Sequence, residues 1–194
     1  MTRGIPSVGL LVGLVGFTLA GLVSLSMASL KPAQPLPQFD HLGGDFELES
    51  TGELNSLSGA QGKVVLLSFG FTSCHDICPM MLSKFQQVYK GLGEDGDDVV
   101  SFFVTLDPKR DTLDKMREHL GAFDERIIGL RGSDEQITEL QKSLAVSSAA
   151  ITGTDQFMHS DRIFVFDQQG RLRAMPSLDE PVDALLAAIG SLRD

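Results

Sequence analysis

Hydrophobic residues along this chain follow three different spacings, and each predicts a different kind of element. Residues 4–30 carry no charge, and residues 8–23 are almost wholly apolar. About 20 apolar residues at ~1.5 Å each cross a ~30 Å hydrocarbon core, so residues 1–30 predict an N-terminal transmembrane anchor. The small residues of Ser26-Met27-Ala28 keep a cleaved signal segment as the alternative. Residues 31–45, with Pro32, Pro35, Pro37 and Gly43-Gly44, predict an extended linker that holds the rest of the chain off the membrane. From residue 46 to residue 194 the pattern is that of one folded domain. Short continuous apolar runs alternate there with stretches whose apolar residues recur every three or four positions.

The runs predict strands. Residues 46–49 alternate and lead into Thr51-Gly52-Glu53, which suggests a short hairpin. Residues 63–71 and 99–106 read as strands buried on both faces, residues 127–130 as a third strand and residues 163–166 as a fourth. Gln168-Gln169-Gly170 turns the fourth strand into an antiparallel partner at residues 171–174. The three- and four-residue spacings predict helices: Met81, Leu82, Phe85, Val88 and Leu92; Leu113, Met116, Leu120 and Phe123; Ile137, Leu140 and Leu144; and Val182, Leu185, Leu186 and Ile189. Ser133 with Gln136 three residues on predicts a capping box for the third helix. The order β-α-β-α-β-α-β-β-α implies an α/β class domain, a central mixed sheet flanked by helices. A βαβ half followed by a ββα half is the thioredoxin-like pattern.

Charge narrows the partners. Arg3 is the only charged residue among the first 30, so residues 31–194 carry a net charge of -11. An acidic body argues against nucleic acid, which needs clustered Lys and Arg. Two cysteines cannot make a disulfide framework, so the domain must fold on packing alone. Arg3 before the apolar run weakly favours a cytoplasmic N-terminus, and no Arg-rich transit peptide precedes it. The expected location is therefore a bacterial inner membrane, single-pass, with the domain in the periplasm.

The chemistry gathers in Phe71-Thr72-Ser73-Cys74-His75-Asp76-Ile77-Cys78-Pro79, where the first buried strand gives way to the first helix. Both cysteines of the chain lie here. An α/β sheet presents its site at the carboxyl ends of its strands, and a helix N-terminus favours thiolate. Four positions apart on a helical turn, Cys74 and Cys78 would stack on one face, able to chelate one ion or to close a disulfide. Thioredoxin-type oxidoreductases have two residues between their cysteines; three intervene here, which suits a chelate with a third ligand better than fast dithiol exchange. Of the four histidines, His41 and His119 read as solvated. His159 lies in a loop just before the fourth strand, which in a thioredoxin-like layout faces the start of the first helix. Two thiolates and an imidazole make a soft three-coordinate set that fits Cu(I) and can hold Cu(II).

Thr72-Ser73-Cys74-His75-Asp76-Ile77-Cys78-Pro79 resembles the T-x-C-x-x-x-C-P motif of the SCO/SenC family, copper proteins of cytochrome c oxidase assembly. Residues 105–112 resemble the family's D-P-x-R-D-T segment, and Met158-His159-Ser160 with the strand and turn after it resembles its H-S segment. The resemblance implies copper bound by Cys74, Cys78 and His159, with Asp107 close to the site. The plainer reading of Asp107 is a helix N-cap ahead of Pro108. The family often has Pro after the first cysteine; here it is His75, placed to act on the neighbouring thiolate rather than to join the ligands. Met80, Met81 and Met158 read first as core packing and second as thioether donors. The expected function is a membrane-anchored copper chaperone, not an enzyme. It would pass one ion to the copper-site subunit of a haem-copper oxidase after loading from a periplasmic copper donor. The competing expectation is a thiol-disulfide oxidoreductase. It would cycle through a Cys74–Cys78 disulfide, paired with a thiol reductant, and act on an oxidase subunit's cysteines or in peroxide stress.

Overall fold

The computed structural model describes residues 36–37, 39–151, 154 and 157–193, with backbone alone at Ala150 and at residues 157–159. The anchor expected over residues 1–30 lies outside these residues, as do residues 31–35 of the linker. Among the described residues no helix is long and apolar enough to cross a membrane.

The elements run β1 (Glu49–Ser50), β2 (Val64–Gly70), α1 (Ile77–Leu92), β3 (Val99–Thr105), α2 (Leu113–Gly121), β4 (Ile127–Arg131), α3 (Asp134–Ser143), β5 (Ser148–Ala150), β6 (Phe157–His159), β7 (Phe164–Phe166), β8 (Leu172–Ala174) and α4 (Val182–Gly190). Six strands form one mixed sheet in the order β1-β4-β3-β2-β7-β8. The two central strands, β2 and β3, are parallel and in register from Val64 opposite Val99 to Gly70 opposite Thr105. β4 continues the parallel set, while β1, β7 and β8 pair antiparallel.

Successive side chains of a strand point to opposite faces, and the sheet divides its apolar residues accordingly. Val64 and Leu66 join Phe85, Val88, Met116, Leu120, Leu185 and Ile189, so α1, α2 and α4 cover one face. Val65, Leu67 and Phe69 join Ile137, Leu140 and Leu144, so α3 covers the other. The capping box of α3 forms as expected: Ser133 Oγ accepts from Gln136 N at 3.2 Å, and Gln136 Oε1 accepts from Ser133 N at 2.9 Å.

Three expectations change. The hairpin expected at residues 46–53 is closed only by an isolated bridge between Glu47 and Ser56, and β1 spends its two residues on β4 instead. A second, two-stranded sheet, β5 with β6, occupies what the sequence suggested was loop, with Ser148 opposite His159. Third, the described part of the supposed linker packs on the domain. Phe39 and Leu42 lie against the core on the α3 side, Phe39 N donates to Leu172 O at 3.2 Å, and Gly43 N donates to Ser143 O at 2.7 Å. The apolar residues between Pro37 and Gly43 have surface to bury, and the domain offers it.

Asp167 is the polar centre of that edge. Gly170, at φ +75°, turns the chain from β7 into β8 in a conformation that favours glycine. Asp167 accepts from Gln169 N, Arg171 N, Arg171 Nε and Arg173 Nη1 at 2.9 to 3.1 Å. Arg173 reaches on to the carbonyls of Leu36 and Pro37. Burial pulls the Asp167 carboxyl's pKa up, but these donors outweigh it and hold the group below the usual carboxylate value. A depressed folded-state pKa contributes stability that is fully present above about pH 4 and is lost as pH falls through the folded value. Asp167→Asn should therefore cost about 1–3 kcal/mol at neutral pH and flatten the acid limb of stability. Urea unfolding at pH 7 and pH 3 checks this; the same loss at both pH values would count against it.

Candidate metal centre

β2 is buried throughout and ends at Gly70, and residues 71–76 carry the chain to α1. Cys74 sits in this connection, its N–H donating to Phe71 O at 3.2 Å; Cys78 is the second residue of α1. The pair does not share a helical turn as expected. Asp76, the N-cap, has φ -127° and ψ -92°, and no side chain caps the helix there, so Cys74 lies outside the helical frame. Cys74 is 9% exposed and Cys78 1%, and no disulfide joins them. The expected thiolate-favouring effect of the helix start is overridden at Cys78. Burial pushes its thiol's pKa well up, the Phe71 backbone pulls it down, and Cys74 and the Asp111 carboxylate add to the rise.

Two neighbours shape the site. Gly70 has no room for a side chain: a Cβ there would lie 2.5 Å from the Phe103 ring and 2.8 Å from Cys78 Sγ. Asp111, wholly buried, accepts from Thr72 N at 2.9 Å, the Thr72 hydroxyl, the Thr105 hydroxyl at 2.7 Å and Lys115 Nζ at 3.3 Å.

Topology bears on the third donor expected from the sequence. β7 lies antiparallel beside β2, with Leu67 opposite Phe164. Continuing that register backwards along β7 leads towards Gly70, so the chain between β6 and β7 approaches the end of β2 where the cysteine connection begins. Burial lowers the pKa of Lys84 on α1, and Asp161, two residues after β6, is among the carboxylates that pull it back up. The backbone of His159 pairs with Ser148, but its side chain lies outside the described part. Among the described residues no three His, Cys, Asp or Glu side chains converge as a metal site.

A model of the SCO1/SenC family matches residues 34–193. The chain belongs to the SCO1/SenC family. An SCO2-like protein of Rickettsia conorii is 37% identical over 136 residues, 67% of this chain and 66% of that protein, a little under two thirds of the relative's length. Bradyrhizobium japonicum ScoI, solved with copper bound, superposes with a TM-score of 0.70 at 29% identity, over 78% of this chain and 99% of that one. Arabidopsis thaliana ScoI, also solved with copper bound, gives 0.71 at 30% identity, over 78% and 98%.

In this SCO1/SenC chain the other expected residues are placed as follows. His75 is exposed, before the helix begins. Asp107 is buried but is not a helix cap. It opens a turn, its carboxylate paired with Arg110 Nε and its carbonyl accepting from Arg110 N and Asp111 N; Thr112 caps α2 five residues later. Pro108 belongs to that turn rather than to a first helical position. Met81 is core, but Met80 is 55% exposed beside the cysteine connection. His119 is not solvated either. It is half-buried with its ring edge-on to Phe123 at 5.9 Å, and burial lowers its pKa. Sequence reasoning missed Gly70, Thr72, Thr105 and Asp111 as site residues. All but Gly70 lie in the two motifs quoted above, yet nothing in one dimension joins hydroxyls and carboxylate up to 39 positions apart.

Proposed function

We propose that this protein is a membrane-anchored copper chaperone. It binds one copper ion through Cys74, Cys78 and His159 and delivers it to the copper site of cytochrome c oxidase during assembly. Residues 1–30 anchor it in a bacterial inner membrane, with the domain in the periplasm. The observation that carries the reading is the pair of buried, unbridged cysteines at the carboxyl end of β2, in a family whose members have been solved with copper bound. Two sulfurs held off water suit a soft ion, which displaces the thiol protons as it binds. Copper is cargo here. Release proceeds by ligand exchange, the acceptor's donors replacing these three in turn, which requires reduced cysteines.

The burial of Cys78 makes this thiol a poor attacking group in thiol-disulfide exchange. The thiolate is the attacking form, and a thiol with a raised pKa supplies little of it at neutral pH. Copper titration of the full-length protein in detergent, reduced and oxidised, tests the reading. The reduced protein should take up one copper per chain and, with Cu(II), develop a thiolate-to-copper charge-transfer band. The band should be missing from the oxidised protein and from Cys74→Ala. Equal copper uptake by the oxidised protein would remove the thiolates from the site and the reading with them.

A further inference from the structure

Cys74 lies in a connection with little structure of its own, yet a two-sulfur site needs its sulfurs at a constant separation. Cys78 is held by α1 and by the packing against Gly70. Cys74 lies outside that helix, its N–H donating locally to Phe71 O and its thiol meeting Cys78. What holds the connection from outside is Asp111. Its carboxylate takes both the backbone N–H and the hydroxyl of Thr72, two residues before Cys74. It also takes the Thr105 hydroxyl at the end of β3, where Thr105 pairs with Gly70, and the Lys115 ammonium from the first turn of α2. All four partners are donors, which an acceptor-only carboxylate satisfies and an amide cannot, since its NH2 must face one of them.

We propose that Asp111 is a positioning residue for the Cys74–Cys78 centre, pinning Thr72 to the ends of β2 and β3 and so setting where the Cys74 sulfur stands. This rests on the copper-binding reading above. Asp111 reaches the Cys74 sulfur through Thr72, and its charge is also felt at Cys78.

The test uses the full-length protein in detergent, reduced, with Cu(I) affinity from competition with bathocuproine disulfonate, the Cu(II)–thiolate band position, and apo thermal stability. Asp111→Asn and Thr72→Val should each weaken copper about 10- to 100-fold, the range for supporting residues around a metal site, and shift the band. Thr72→Ser, which keeps the hydroxyl, should retain the parent's affinity. The double variant should be no weaker than Asp111→Asn alone, because both break one network. Asp167→Asn is the control: an equally buried carboxylate at the opposite end of β2, where Val65 pairs with Phe166, it should lose stability with copper affinity and band unchanged. Parent-like copper affinity and band in Thr72→Val, with His159→Ala losing copper, would overturn the proposal and leave the copper reading standing. Thr72→Val decides alone where Asp111→Asn does not fold. Parent-like copper affinity in His159→Ala would instead overturn the reading beneath it.

Discussion

Replacing His159 by alanine is expected to weaken copper binding by more than about 100-fold, beyond the loss typical of a supporting residue, because in the proposed ligand set it removes a donor outright. Cys74 lies on the β2–α1 connection and Cys78 on α1, whereas His159 is the last residue of β6, within the β5–β6 sheet. The variant therefore separates the two chemistries. With two thiolates left, the ion loses its imidazole and the Cu(II) form loses a donor it needs to fill its coordination. The Cys74–Cys78 pair keeps every neighbour described for it, so its disulfide should still form with an added oxidant and open with an added reductant. Cu(I) competition and thiol titration on the same preparation read both. A variant that keeps its copper and loses its disulfide exchange would reverse the assignment and make the chain an oxidoreductase.

Gly70→Ala should damage the same site from the other side. The new methyl would stand 2.5 Å from Phe103 Cζ and 2.8 Å from Cys78 Sγ, and the Phe103 ring is wholly buried between strands and helices, with no space to swing into. Overpacking of this kind costs about 1–3 kcal/mol. Strain is relieved most readily by moving the sulfur, since Cys78 lies near the free end of α1. The expected result is a modest fall in the urea midpoint together with a loss of copper affinity out of proportion to it. A variant that unfolds earlier but binds copper like the parent would show that Phe103 yields instead and that the glycine serves packing alone.

The strands, the helices and their order were legible from residue 46 onward because each element has its own period. Val64 to Phe69 alternate between two apolar faces, and Ile137, Leu140 and Leu144 make a stripe whose start Ser133 and Gln136 announce. The cysteine pair was legible as a site because both thiols of the chain fall at one strand-to-helix turn, and the family could be named from three short motifs. The short β5–β6 pairing was not legible, since three-residue strands carry too little periodicity to stand out. The packing of Leu36, Phe39 and Leu42 was hidden behind prolines and glycines that read as spacer.

What the sequence alone determined is the kind of chemistry available: two thiols, a scarce set of imidazoles and a chain of net negative charge. What only the tertiary structure decided is which neighbours govern those thiols. Gly70 gives Cys78 its room, Asp111 ties Thr72 to Thr105, and burial rather than the helix start sets the thiol's proton affinity. The reason is physical. Local spacing dictates backbone geometry within an element, but exclusion of water and contact across strands arise only when distant segments are packed together.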